Sequence, residues 1–145
     1  MSSHGRTEGS AGQLVLADAL AVAAGTAGAF VFRAAVRSYD SLAPDHLAAL
    51  ILPALPFTLA AGLVALWSAG AYGPRRADLG VLDLAAALAW AGSALAFIAF
   101  YWSFGPETPL LVIVAGYVFT LLSVLGVRAY LAPRLQMSRL PRQST

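Results

Sequence analysis

The sequence predicts an all-α integral membrane protein, an antiparallel bundle of four transmembrane helices with both termini in the cytoplasm. Three observations lead to this prediction. The 145-residue chain is 59% hydrophobic and only 11% charged, which lies outside the usual range of soluble domains. Its apolar residues form four runs, each long enough to cross a hydrocarbon core about 30 Å thick. Most of its arginines flank these runs on one predicted side of the membrane. The predicted spans are residues 14–36, 47–70, 81–104 and 110–132.

Polar segments flank the four runs. Residues 1–13 combine Arg, Glu and His with small residues and precede the first apolar run, so we expect a disordered cytoplasmic tail followed by an uncleaved helix. Residues 133–145 carry Arg134, Arg139 and Arg142 and are expected to form a basic cytoplasmic tail. The chain therefore divides into a tail, a transmembrane domain over residues 14–132, and a second tail.

Signals for helix ends support these boundaries. Asp45 and Asp78 precede the second and third spans as candidate N-caps. Thr108 and Pro109 start the fourth span with a cap and a proline at the first helical position. Pro133 is expected to end the fourth span. The connections are short, so consecutive helices should be antiparallel neighbours.

The arginines predict the orientation. With four spans, the side shared by both tails and the second loop holds seven arginines and the other side holds two. This asymmetry predicts that both termini are cytoplasmic. Arg75, Arg76, Arg134, Arg139 and Arg142 are expected to contact anionic lipid, although fixing the topology is an equally good interpretation. The seven are Arg6, Arg75, Arg76, Arg128, Arg134, Arg139 and Arg142, and the two are Arg33 and Arg37.

Three charged residues lie within the spans at similar depth on the cytoplasmic side, and they form a candidate polar cluster. Asp18 and Asp83 are about one turn into the first and third spans, and Arg128 is about one turn before the end of the fourth. A charge at the hydrocarbon edge is costly unless it is paired or reaches water, so we expect Arg128 between or beside the carboxylates. The cluster would join helix ends, bind a lipid headgroup or couple to protons. The helix macrodipole also favours both aspartates without a partner.

Two prolines, Pro53 and Pro56, interrupt the second span one turn apart. Each removes a backbone hydrogen bond and clashes with the preceding turn, which predicts a kink or a break in the helix. Broken helices mark substrate sites in some transporters. No charged residue accompanies these prolines, so a simple kink is favoured.

Two rows of small residues and two deep aromatic residues predict helix packing. The rows recur at four-residue spacing and allow close approach of helices, within the bundle rather than across a dimer. Trp90 and Tyr117 are expected to pack between helices with a hydrogen bond for each polar atom. The rows are Ala21, Gly25 and Ala29 in the first span, and Ala61, Ala65 and Ala69 in the second.

Several classes of function are excluded or disfavoured. The chain has no cysteine and no lysine, so disulfides, thiolate ligands and Schiff-base chemistry are excluded. His4 and His46 lie in the tail and in an outer loop, which disfavours haem ligation and a Ser-His-Asp set. No Cys/His or carboxylate cluster has the spacing typical of metal ligands. We therefore expect no catalytic residue, cofactor or metal, and the net charge of +2 is too small to indicate nucleic-acid binding.

The order of the charged and turn residues resembles a known membrane domain. It is the four-helix N-terminal domain of bacterial polyprenyl-phosphate sugar-phosphate transferases and of membrane-bound nucleotide-sugar dehydratases. In those families an aspartate in the first helix, an arginine at its end, a G-L-Y-x-x-R-like turn and a late arginine in the fourth helix recur. The matching segments here are Leu16-Ala17-Asp18-Ala19-Leu20, Phe32-Arg33, Trp67-Ser68-Ala69-Gly70-Ala71-Tyr72-Gly73-Pro74-Arg75-Arg76, Leu82-Asp83-Leu84 and Gly126-Val127-Arg128-Ala129-Tyr130-Leu131.

This sequence departs from the pattern at two positions of the turn and in its length. Ala71 stands where those families usually have leucine, and Pro74 lies within the turn. Their catalytic domain follows the fourth helix, whereas this sequence stops at Thr145. The resemblance therefore implies a membrane domain without the catalytic domain, and it assigns no catalytic residue.

The predicted function is that of a non-catalytic membrane scaffold or accessory subunit. The resemblance implies a link to lipid-linked sugars or cell-surface polysaccharide assembly, with a separately encoded membrane enzyme of glycan assembly as partner. Membrane lipids are expected partners as well, and a homo-oligomer is left open. The alternative is a small multi-pass transporter or flippase for a lipid-linked or small hydrophobic substrate.

Overall fold

The computed structural model describes residues 5–37, 42–73, 79–101 and 110–137. Within these ranges the chain forms four helices and no strand. This confirms the all-α prediction. The helices are α1 (Gly5–Arg37), α2 (Pro44–Ser68), α3 (Val81–Tyr101) and α4 (Leu110–Met137).

Three of these helices are long and apolar enough to cross a membrane. The qualifying stretches are Ala11–Val36, Pro44–Ser68 and Ile113–Arg134. In α3 the apolar stretch within the described residues is shorter, Val81–Ala96, and residues 102–104 of the predicted third span lie outside them. The structure therefore supports an integral membrane protein, and the third crossing stays a prediction.

The helices form a closed ring in which each one packs against two others. The packed pairs are α1 with α2, α2 with α3, α3 with α4, and α4 with α1. Over the described part of the chain, the backbones of the two diagonal pairs do not approach each other closely. This arrangement leaves room for a space at the centre of the ring.

The first helix begins earlier than predicted. It starts at Gly5, so the expected disorder of residues 1–13 is wrong for residues 5–13, and residues 1–4 lie outside the described part. The physical reason is that a helix already nucleated by its apolar part extends with one hydrogen bond per added residue and no second nucleation. The polar segment contains no proline to stop this extension.

The fourth helix also extends past its predicted end. Pro133 lies inside α4, which continues to Met137, so the expectation that this proline ends the helix is wrong. Pro133 removes the hydrogen bond to the Ala129 carbonyl and crowds that carbonyl. Ala129 is exposed, so the carbonyl is not left unpaired in the core. The Arg134 guanidinium lies 4.4 Å from the centroid of the Tyr130 ring, a contact that bridges the turn containing the proline.

The second helix runs without interruption through Pro53 and Pro56, so the less favoured alternative, a break, does not occur, and the kink stays a prediction. It begins with Ala43 in the N-cap position and Pro44 in the first turn, and Asp45 lies within that turn. The proposal of Asp45 as N-cap was therefore wrong. Proline is favoured at the start of a helix because the first N–H groups have no helical partner.

The C-terminal end of α2 is a tight turn that brings the chain back onto the bundle. Gly70 has a φ of +83°, a conformation that favours glycine. The Ala71 N–H donates to the Leu66 carbonyl at 3.0 Å, and the Gly70 N–H donates to the Trp67 carbonyl at 2.9 Å. This is the Schellman pattern. Leu66 and Ala71 are both fully buried, so the turn becomes part of the core.

The apolar core contains buried residues from all four helices and from this turn. It occupies the part of the bundle that holds the early residues of α1 and the late residues of α4, named here the Asp18 end. Its members are Ala21, Val22, Leu66, Ala71, Leu84, Leu88 and Val124.

Candidate functional site

A buried ion pair joins α1 to α4 at the Asp18 end. The Arg128 Nη2 lies 2.6 Å from the Asp18 Oδ2, and the Arg128 Nε donates to Oδ1 at 3.3 Å. The arginine thus contacts both carboxylate oxygens, an arrangement stronger than a single contact. The Asp18 side chain is fully buried and that of Arg128 is 14% exposed. The predicted pairing of these two residues is confirmed.

Tyr72 completes the surroundings of the ion pair, and the turn after α2 places it there. Its ring faces the Arg128 guanidinium, 5.9 Å from ring centroid to Cζ. Its hydroxyl is buried and has no hydrogen bond to any described residue. Burial and, after it, the negative charge of Asp18 raise the pKa of the Tyr72 phenol well above its usual value. The phenol therefore stays neutral at physiological pH.

Sequence reasoning missed Tyr72 as a member of this site. The available signal was Gly70, which follows the last apolar residues of the second span and is the residue type preferred just beyond a helix end. A glycine-terminated helix turns back sharply, and this brings the next two residues against the bundle. Tyr72 is the second of them.

Asp83 has a different role from the one predicted. Its Oδ2 accepts a hydrogen bond from the Gly80 N–H at 3.0 Å, and its side chain is exposed at the first turn of α3. The carboxylate therefore satisfies a backbone donor at the start of its own helix. The contacts described for Arg128 are with Asp18 and Tyr72, so the predicted three-residue cluster is corrected to a pair. Asp78 lies outside the described residues.

Replacing Asp83 by alanine should lower the free energy of unfolding by about 1 kcal/mol or less. The variant loses one exposed hydrogen bond and a favourable charge at a helix N-terminus, and neither loss strands a buried charge. Thermal unfolding of the purified protein in detergent is the measurement. Asp83→Asn is the matched control, since it keeps a side-chain oxygen that accepts from Gly80. A loss in the alanine variant as large as that from Asp18→Ala would show that Asp83 belongs to the ion-pair cluster after all.

The other half of the bundle contains a partly enclosed cavity of about 330 Å³, named here the central cavity. All four helices contribute to its wall, which extends along α1 from Val22 to Arg33. Pro53 and Phe57 of α2 line it, so the proline segment shapes the cavity wall although it does not break the helix. Most of the wall is apolar.

The first row of small residues packs against α4. An ideal Cβ placed on Gly25 would collide with the Thr120 backbone, and one placed on Gly116 would lie 3.5 Å from the Ala29 Cβ. This confirms the prediction of packing within the bundle for that row. The second row, Ala61, Ala65 and Ala69, borders a groove between α2 and α3.

The predictions for the two deep aromatic residues have different outcomes. The Tyr117 hydroxyl donates to the Ala85 carbonyl at 3.2 Å, which confirms the predicted packing and hydrogen bond. Trp90 is 78% exposed, so the prediction that it packs between helices is wrong. On α3 the buried positions are Leu84, Ala87, Leu88 and Ala91, and at 100° per residue Trp90 lies about 110° from the centre of that face, outside it.

Of the five arginines proposed for lipid contact, one lies within the described residues. Arg134 is exposed and stacks on Tyr130, while Arg75, Arg76, Arg139 and Arg142 lie outside the described residues. The described site thus has two parts, an ion pair embedded in a packed core and a mainly apolar cavity beyond it.

Compared with known proteins, the chain matches no family model, no curated protein and no solved structure.

Proposed function

We propose that the protein is a non-catalytic integral membrane scaffold or accessory subunit. The observation that supports this best is the Asp18–Arg128 pair, in which a buried carboxylate and a guanidinium satisfy each other. Charges paired in this way fix two helices relative to each other rather than presenting a reactive group to a substrate. The surrounding core adds apolar contacts from all four helices, so the helices are held in a fixed arrangement at this end of the bundle.

We further propose that the bundle is antiparallel and that both termini face the cytoplasm. The contacts between α1 and α4 support the first part, because Asp18, Gly25 and Ala29 meet Arg128, Thr120 and Gly116 in reverse order. The arginine distribution supports the second part through the positive-inside rule. In this topology the Asp18 end lies toward the cytoplasm.

Cysteine labelling tests this topology cleanly because the chain has no cysteine of its own. We expect that a membrane-impermeant maleimide applied to intact spheroplasts labels Ser41→Cys and leaves Ser3→Cys and Ser138→Cys unlabelled. After lysis, all three variants should react. Labelling of Ser3→Cys or Ser138→Cys before lysis would contradict the orientation.

A role in the assembly of lipid-linked sugars or cell-surface polysaccharide rests on the resemblance of the turn and charge pattern, and the partner would be a separately encoded membrane enzyme. The test is purification from the native membrane in a mild detergent, followed by mass spectrometry of the co-purifying proteins. An unrelated multi-pass protein with the same tag, expressed at the same level, is the control. Specific recovery of a glycan-assembly enzyme is expected, and a chain that purifies alone or only as a homo-oligomer would contradict the scaffold proposal.

The second candidate is a small transporter or flippase of a hydrophobic substrate, which the central cavity favours. Such a protein must open both ends in turn, and the ion pair would have to separate on each cycle. Substrate flux into proteoliposomes that disappears in Asp18→Asn while the variant stays folded would favour this candidate. Unchanged flux in that variant would argue against a cycle that uses the ion pair.

A further inference from the structure

The wall of the central cavity offers very little hydrogen bonding to an occupant. The Thr26 hydroxyl donates to the Val22 carbonyl at 2.9 Å, and the Thr58 hydroxyl donates to the Leu55 carbonyl at 3.1 Å. The Tyr117 hydroxyl is used in the same way on Ala85. These three side chains therefore donate to backbone carbonyls. The other polar side chains of the described wall are Thr120 and Arg33, so an occupant of the cavity meets a mainly apolar surface.

The cavity is larger than a site for a single ring. Dry apolar cavities of about 150 Å³ bind single rings such as benzene, and small-molecule sites begin at roughly 300 Å³. The central cavity, at about 330 Å³, is in the second range. It lies among three helices that qualify as membrane spans, where the surrounding apolar molecules are lipids.

The one charged side chain of the described wall indicates that the occupant also has an anionic group. Arg33 is the one charged residue among the described residues that line the cavity. A guanidinium binds phosphate oxygens through two parallel N–H groups. It has five N–H donors, so phosphate binding does not require Arg33 to give up its other contacts. An apolar wall with a cation at one position complements an amphiphile that has an apolar tail and an anionic head.

We propose that the central cavity binds one acyl chain of an anionic phospholipid, whose phosphate is held by Arg33. This site is separate from the ion pair at the Asp18 end, and it does not rest on the scaffold function. The lipid would fill the space that the four helices leave at their centre, so the bundle and one lipid form the folded unit in the membrane.

Gly92 allows the cavity to be filled without disturbing the helices. It lines the cavity, and a Cβ placed on it would meet no atom within 4 Å. A phenylalanine at this position projects into the space that the chain would occupy. Gly126 is the matched control, since it lies in α4 outside the cavity wall and a Cβ there also meets no atom within 4 Å.

The experiment uses the full chain in nanodiscs that contain phosphatidylglycerol with a photoactivatable group on one acyl chain, and mass spectrometry locates the labelled residues. We expect labelling of Thr26 and Ala29, which line the cavity and are buried, that falls at least fivefold in Gly92→Phe and is unchanged in Gly126→Phe. Thermal unfolding checks that both variants fold, and Gly92→Leu replaces the first if it does not. Labelling of cavity residues no stronger than that of Leu52, which is 64% exposed, would overturn the proposal.

The headgroup is tested with the same probe on phosphatidylcholine. In the parent protein, the phosphatidylglycerol probe should label the cavity at least threefold more than the phosphatidylcholine probe, and Arg33→Gln should abolish this preference. Phosphatidylcholine has the same phosphate beside a trimethylammonium group, so equal labelling by both probes in the parent would overturn the proposal of an anionic occupant. Phosphatidylglycerol labelling that Arg33→Gln leaves unchanged would overturn the assignment of the phosphate to Arg33. A photoactivatable oleate that labels the cavity when phosphatidylglycerol does not would assign the site to a free fatty acid, and it would likewise overturn the proposal.

Discussion

Asp18→Ala is expected to lower the free energy of unfolding by about 3–5 kcal/mol, the usual cost of removing one partner of a buried ion pair. The Asp18 side chain is fully buried and that of Arg128 only 14% exposed, so the variant leaves a guanidinium in the core without its counter-charge. Burial, the largest cause of the raised pKa of the Tyr72 phenol, remains in the variant and disfavours the phenolate that could replace the lost carboxylate. Thermal and denaturant unfolding of the purified protein in one detergent would measure the loss.

Two further variants separate the ion pair from the packing around it. Arg128→Ala should be similarly destabilised, since it strands the Asp18 carboxylate. The double variant should lose less than the sum of the two single losses, because it leaves neither charge unpaired. Asp83→Ala, which removes an exposed carboxylate, is the control for a general effect of losing negative charge. Additive losses in the double variant, or a loss of less than about 1 kcal/mol in Asp18→Ala, would contradict a structural role for the pair.

The pairing of Asp18 with Arg128 could be predicted because a charge inside an apolar run has few options in a membrane. Asp83 carries the same sequence signal and behaves differently. The distinction depends on where the helix begins. Since α3 starts at Val81, the Asp83 carboxylate reaches back to the Gly80 N–H at 3.0 Å and needs no arginine. The predicted start of the third span, residue 81, agrees with α3, whereas α1 begins at Gly5 and not near residue 14. Asp83 therefore lies beside free N–H groups at a helix start, and Asp18 lies well inside its helix, where no such N–H group is available.

The helix ends show where local signals were outweighed by the rest of the chain. Pro133 is a strong stop signal, and residues 5–13 have a polar composition, yet both are helical. In each case an apolar helix was already formed, and its extension costs little. The central cavity could not be predicted, because it depends on the distances between helices whose backbones do not approach each other closely across the ring. Its only trace in the sequence is the small size of residues such as Gly92.

Gly25→Leu is the second substitution with a large expected effect, about 3 kcal/mol of lost stability, at the upper end of overpacking costs. A Cβ built on Gly25 would lie 2.6 Å from the Thr120 Cα and 2.7 Å from the Thr120 N. These are backbone atoms, so a change of rotamer cannot relieve the collision and α1 must move away from α4. The Asp18–Arg128 pair spans the same two helices, and the displacement would also strain its contacts. Thermal unfolding under the conditions used for Asp18→Ala is the measurement.

Gly126→Leu is the matched control for this prediction. Both substitutions replace a glycine inside a helix by leucine, and both gain about 1 kcal/mol of helix propensity. They differ in surroundings, because a Cβ on Gly126 meets no atom within 4 Å. The difference between the two variants therefore isolates the contact between α1 and α4. Equal stability of Gly25→Leu and Gly126→Leu would mean that the two helices do not approach each other at Gly25, and the close interface that carries the ion pair would have to be abandoned.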